Sequence, residues 1–244
     1  MKSMIRPYVF LSVACCLAAV AFGQGSAVSG RVNLVREGGP GPAAGPAGVV
    51  VWLTLLSGAP AVEPGERSGT ASPRIVQRNK RFETRLLAVE VGAVVEFPNL
   101  DPFFHNVFSL FDGKRFDLGL YEAGSTRSVR FDRPGVCYIF CNIHSQMSAT
   151  VVVVDSPYFV VLDAPGDFRI PGPPPGRYRL NIWAERCSPE TLSQASREIV
   201  VGGGATAVGT IDLEQSREVI EVHSNKYGRD YDTPVFSSPI YTQP

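Results

Sequence analysis

GVCYIFCNIHSQMSATVVVV, residues 135–154, holds two apolar runs with a polar loop between them. VCYIF and ATVVVV are short, β-branched and aromatic, which is the composition of strands in a packed sheet. Between them stand a thiol, an imidazole and a thioether, Cys141, His144 and Met147, each three positions from the next. Such a trio is either a set of metal donors or three ordinary residues at the end of a strand.

Outward from this stretch the pattern stays the same. Runs such as VVVWLTLL, VVEF, YRLNIW and IVVGG alternate with Gly and Pro turns, including EGGPGPAAGPAG and PGPPPG. The chain has 24 Gly and 20 Pro, and because apolar runs separate them they mark turns rather than disorder. No long stretch has helical periodicity, although SPETLSQASREI has room for a turn or two. The expected class is all-β.

A length of 244 residues suits one large or two small domains. The first 23 residues, MKSMIRPYVFLSVACCLAAVAFG, read as a signal peptide: a basic start, an apolar run from Tyr8 to Phe22, and small residues before Gln24. That apolar run is short for a membrane span, which needs about 20 residues. A periplasmic or secreted protein is expected, with no membrane span after the leader is removed. Without Lys2 and Arg6, 21 basic side chains face 23 acidic ones. So small a net charge gives no reason to expect nucleic acid as a partner.

Soft donors are scarce in what remains. Met147 is the sole methionine beyond the leader, the histidines are His105, His144 and His223, and the cysteines are Cys137, Cys141 and Cys187. His105 lies upstream in NLDPFFHNV. Two imidazoles and one thiolate make a trigonal site, and a long axial thioether completes the blue-copper arrangement. Zinc prefers four strong tetrahedral ligands, so copper is the expected metal.

The stretch from about Ile75 to Asp155 resembles the cupredoxin family, in its plastocyanin and amicyanin branch. The resemblance rests on VEVGAVVEFPNLD before His105, the triplet His105-Asn106-Val107, FDRPGVCYIFC with Cys141 six residues after Gly135, and the strand ATVVVV after the loop. Its Cys-x2-His-x2-Met spacing is that of amicyanin, two residues shorter than in plant plastocyanins. The resemblance implies His105, Cys141 and His144 as equatorial ligands of one mononuclear copper, with Met147 axial. It also implies that Asn106 ties the His strand to the Cys loop, where Asn142 offers a partner. His144 would be a surface port for single electrons, with Pro102, Phe103, Phe104 and Ile143 around it for a docking redox protein.

The flanks resemble a carboxypeptidase regulatory-like, transthyretin-type β-sandwich, through Gly166-x-Phe168-x-Ile170 and Pro174-Pro175-Gly176-x-Tyr178-x-Leu180-x-x-Trp183. In that family the opening two strands run directly into this segment. Here they lie far apart, which implies a cupredoxin Greek-key sandwich inserted in, or fused to, the second sandwich. The expected layout is a leader at 1–23, first strands of the flanking sandwich at 27–60, the copper module at 69–157, the rest of the flanking sandwich at 161–214, and a polar tail at 215–244. One enlarged sandwich is the alternative. The flanks and the ending HSNKYG also resemble exported proteins labelled methylamine utilisation proteins, which implies a redox context.

Electron transfer without catalysis is therefore expected. Nitrite reductases and multicopper oxidases need additional histidine-built copper centres, and His223 alone remains for them. The binuclear Cys-x3-Cys-x3-His-x2-Met centre of cytochrome oxidase subunit two fails on register, because Cys137 lies about 13 Å back along a strand from Cys141. A non-catalytic copper-binding or structural module of an envelope complex is the alternative function. Export leaves Cys137 and Cys187 as the pair available for a disulfide between modules, or as two separate buried thiols.

Overall fold

A computed structural model describes residues 25–36, 47–58, 72–110, 114–216, 225–229 and 231. The leader at 1–23, most of the loop EGGPGPAAGPAG, His223 and much of the tail lie outside the described residues.

Among the described residues, sixteen strands and one short helix follow in chain order: β1 (Ala27–Arg36), β2 (Val49–Gly58), β3 (Gln77–Arg78), β4 (Arg81–Phe82), β5 (Leu86–Glu90), β6 (Val94–Pro98), β7 (His105–Ser109) and β8 (Phe116–Tyr121). Next come β9 (Thr126–Arg130), β10 (Gly135–Phe140), β11 (Ser148–Val154), β12 (Phe159–Leu162), β13 (Asp167–Pro171), β14 (Gly176–Ala184), α1 (Pro189–Ala195), β15 (Arg197–Val201) and β16 (Ala205–Gln215). The protein is all-β, a set of sheets packed as β-sandwiches. The one helix is the turn or two that SPETLSQASREI allows. Ser188 caps it by accepting the Thr191 N–H, and Pro189 opens it where no N–H is needed.

One core lies between the sheets β13-β1-β16 and β12-β2-β14-β15. Alternation builds it: Val49, Val51 and Leu53 of β2 and Tyr178, Leu180 and Ile182 of β14 point inward together. At Gly30 of β1 a Cβ would come within 2.6 Å of Val208 and 2.9 Å of Phe168, so only glycine lets the strands close there. The β1–β16 register shifts at the same point, between Ser29 and Arg31.

A second core gathers residues between Ile75 and Val153, on the five-stranded sheet β5-β11-β10-β7-β8 and the ribbons β6-β9 and β3-β4. The chain thus contributes β1 and β2 to the first core, supplies the second with β3 to β11, and returns with β12 to β16. A third, smaller cluster joins the two. Val50 of β2 and Trp183 of β14 meet Ala88 of β5 and Val152 and Val154 of β11. Around it Thr54 donates to Asp155 at 2.8 Å, and Arg85 pairs with Glu185 at 3.3 Å.

Cys137 and Cys187 are free thiols. Cys137 lies fully buried in the second core, whereas Cys187, half-buried, packs on the first. Of the two arrangements open to this pair, the structure has separate thiols and no staple between modules. Cys137 shares the inward face of β10 with Ile139, away from Val136 and Tyr138, which face the joining cluster. Burial pushes both thiols up to about 11, which leaves them protonated and unreactive at neutral pH.

Candidate metal centre

β10 and β11 pair antiparallel, and their last rung is Phe140 with Ser148. Residues 141–147 close this hairpin. The Cys141 N–H donates to the Met147 carbonyl at 3.2 Å, and the Met147 N–H donates to the His144 carbonyl at 3.0 Å. These bonds curl the loop inward, so Cys141 and Met147 both reach 0% exposure. His105 arrives from the start of β7, which pairs with β10 at Phe108 and Phe140.

The Cys141 sulfur lies 3.8 Å from Nδ1 of His105 and 3.7 Å from Nδ1 of His144. All three donor atoms fall within 4.8 Å of one another, and all three residues are buried. An ion with bonds of about 2.3 Å to sulfur and about 2.0 Å to nitrogen, at about 120°, would set such donors about 3.8 Å apart. The donor set therefore fits a single metal ion. Met147 is buried in the same core as Cys141, at the far end of the loop.

Polar groups around the donors set their protonation. Burial pushes the Cys141 thiol up, while the backbone N–H groups of Asn106, Ile143 and His144 favour the thiolate. Burial also holds His144 down at about 4, helped by His105 and Lys80, so its ring is neutral and able to ligate at neutral pH. His105 is lowered by burial too, against the opposing pull of Asp101.

Asp101 is the neighbour that the sequence reading missed. Its Oδ2 lies 2.7 Å from Nε2 of His105, which leaves Nδ1 of His105 facing the sulfur. Burial raises the Asp101 carboxyl, but N–H donation from Lys80 and Asn79, together with His105, brings it below its usual value. Those N–H groups lie 2.9 and 2.6 Å away, in the tight β3–β4 turn where Asn79 and Lys80 have φ of 55° or less on the positive side. Asn99 shapes the loop before His105 by accepting the Asp101 N–H and donating to the Phe103 and Tyr121 carbonyls. The one local signal is Asp101 four residues before His105; the β3–β4 turn that orients it is distant in sequence.

The asparagines differ in detail from expectation. The Asn106 backbone N–H points at Cys141, but its side chain donates to Asp117 at 2.7 Å and to the Gly119 carbonyl at 2.9 Å. It therefore ties β7 to β8, and not to the Cys loop. The Asn142 side chain instead accepts the Lys226 N–H at 2.9 Å.

His144 is not the open surface port expected of it. It is 8% exposed, and its Nε2 is buried with no hydrogen-bond partner among the described residues. Phe103 packs against both imidazoles, with ring centroids 5.2 Å from His105 and 5.9 Å from His144. The Lys80 ammonium lies 5.4 Å from the Phe103 ring. Pro102, Phe104 and Ile143 are exposed.

No protein-family model and no curated protein matches this sequence. Among solved structures the chain is similar to a purple cupredoxin from Nitrosopumilus maritimus, at 22% identity over 34% of this chain and 99% of that one, TM-score 0.31. It is similar to a Cu(I) methionine-to-alanine mutant of amicyanin, at 21% identity over 42% of this chain and 98% of that one, TM-score 0.33. A copper-containing nitrite reductase from Thermus scotoductus matches at 23% identity over 39% of this chain and 25% of that one, TM-score 0.33.

Proposed function

We propose that this chain holds one copper ion through His105, Cys141 and His144, with Met147 as a weak axial donor, and passes single electrons between redox partners outside the cytoplasm. The observation that carries the reading is the buried Cys141 sulfur, 3.7–3.8 Å from two imidazole nitrogens that burial keeps neutral. Copper in such a site supplies a one-electron couple that needs little rearrangement of its ligands. The chain's own residues supply the rest. Asp101 orients His105, three N–H groups favour the Cys141 thiolate, and Phe103 keeps water from the imidazoles.

Export is supported by the leader-like pattern of residues 1–23. A redox partner is expected to dock on the apolar rim of Pro102, Phe104 and Ile143 and to reach His144 through Phe103. Residues 27–60 and 161–214 are read as one sandwich that carries residues 69–157 as an insert, because the first core draws on both flanks. Excised residues 69–157 should then fold, with Ala88, Val152 and Val154 newly exposed. An unfolded excised segment would favour a single enlarged sandwich.

The covered edge of His144 favours a second reading, a module that holds copper without passing electrons on. Two measurements decide. Cu(II)-loaded protein should show intense thiolate-to-copper charge transfer toward the red, which Cys141→Ser abolishes and Met147→Leu retains. A colourless Cu(II) complex would sink the copper-thiolate assignment. Stopped-flow oxidation and reduction by soluble one-electron reagents separates carrier from holder: fast, reversible exchange supports the carrier.

A further inference from the structure

Residues 225–231 of the polar tail reach the loop that carries Cys141. Asn225 organises it as a closed turn, accepting the N–H groups of Tyr227 and Arg229 at 3.0 and 3.2 Å, with Gly228 at φ 72°. From this turn the Lys226 N–H donates to Asn142, and the Lys226 ammonium pairs with Asp117 at 2.7 Å. Further on, the Tyr231 hydroxyl donates to the Cys141 carbonyl at 2.7 Å.

The contacts land on Cys141, on its neighbour Asn142 and, through Asp117, on Asn106 beside His105. The Cys141 N–H is already committed to Met147, so Tyr231 fixes the peptide group on the other side of the same residue. Rotating the Cys141 backbone to swing its sulfur away breaks one bond or the other. Asp117, gripped by Lys226, also accepts the side chain of Asn106, whose backbone N–H points at that sulfur. The tail therefore holds the Cys loop through Asn142 and Cys141, and the His105 strand through Asp117 and Asn106.

We infer that Lys226 and Tyr231 are positioning residues for the metal site, clamping the Cys141 loop and the His105 strand together from outside the sheet. This rests on the copper reading for its functional sense, while its geometry is testable without metal. The experiment uses the full chain with Tyr231→Phe, Lys226→Met and, as conservative rescue, Lys226→Arg.

In metal-free protein, alkylation of Cys141 by iodoacetamide is followed by peptide mapping, which separates it from Cys137 and Cys187. Losing a hydrogen bond that closes the loop should raise the Cys141 rate about three- to tenfold. Lys226→Arg should keep the wild-type rate, because it keeps the pair with Asp117. In Cu(II)-loaded protein the Phe and Met variants should change the charge-transfer intensity ratio and the copper hyperfine splitting. Their unfolding midpoints should stay at the wild-type value, since both residues lie outside the cores.

Unchanged Cys141 rates in both Tyr231→Phe and Lys226→Met overturn the clamp. So does a lowered unfolding midpoint with unchanged Cys141 rate and unchanged copper spectrum, the mark of a merely structural contact. Should the wild-type chain bind no copper, the copper reading fails by itself and the alkylation rates still decide the clamp.

Discussion

In the core between the three- and four-stranded sheets, Val28, Leu53, Leu180 and Leu213 pack with no exposed surface. In the second core Cys141, His105 and Met147 are as fully buried. The two regions share strand chemistry and tightness but differ in what they enclose. Of the ten buried polar residues among those described, only Ser156 and Gln215 lie outside residues 77–150, and the rest belong to the half with the candidate metal centre. Burying polar groups costs free energy unless they are paired. The first core carries almost none of that cost, and the second carries it chiefly around three donors. The difference separates a region built for stability from one that gives up stability for a site.

This contrast predicts effects of graded size. The largest should come from Leu180→Ala in the first core, at about 2–5 kcal/mol of unfolding free energy. Denaturant melts measure it, and the copper spectrum of the folded protein should remain wild type. Loss of colour in folded Leu180→Ala protein would break the separation of the two regions.

Asp101→Asn should act the other way, on the site more than on the fold. Removing the partner that orients a ligating histidine typically weakens metal binding about 10- to 100-fold. Competition titration against a chelator of known affinity reads this directly. Unaltered affinity would show that His105 is held by the strand alone.

A further effect concerns pH in the metal-free protein. His144 sits at about 4 when folded, against about 6.5 in the unfolded chain. Between these values the unfolded chain binds a proton that the folded one refuses, so stability rises with pH across the window and falls as pH drops from 6.5 toward 4. His144→Gln should flatten that dependence in melts taken at intervals of pH. An equally steep fall in the variant would assign the effect to other groups.

The smallest change should follow Arg85→Ala, which removes a solvent-exposed partner of Glu185 where the two cores meet. Such pairs contribute about 1 kcal/mol or less. A larger loss would mean that the joining cluster of Val50, Trp183 and Val152 depends on that ion pair for its alignment.

Much of this was legible in the sequence because period-two alternation and turn residues are local signals. β2, β6, β10, β11, β14 and β15 all fall on runs visible as strands, and the donors stand out because methionine and histidine are so rare after residue 23. What was hidden depends on distance. Lys226 and Tyr231 lie 84 and 90 positions from their partners in the loop, and no local pattern connects them. Phe103 reads as part of an exposed rim, but its ring packs against both imidazoles. Cysteine counting offered Cys137 for a disulfide, whereas strand alternation places it on the same face as Cys141 and so inside the second core.

β11 has one further consequence. Val151 and Val153 belong to the second core and Val152 and Val154 to the cluster that joins the two cores. Four consecutive valines look alike from either side, so this strand lacks the inside-outside contrast that ordinarily sets its alignment. The alignment must come from its ends: Ser148 opposite Phe140 at one, and Asp155 held by Thr54 at the other. The donor loop thus serves as the index mark from which the strand is counted. A residue deleted between Cys141 and Met147 would be read twice, once as a displaced thioether and once as a one-step offset along every rung to Val154.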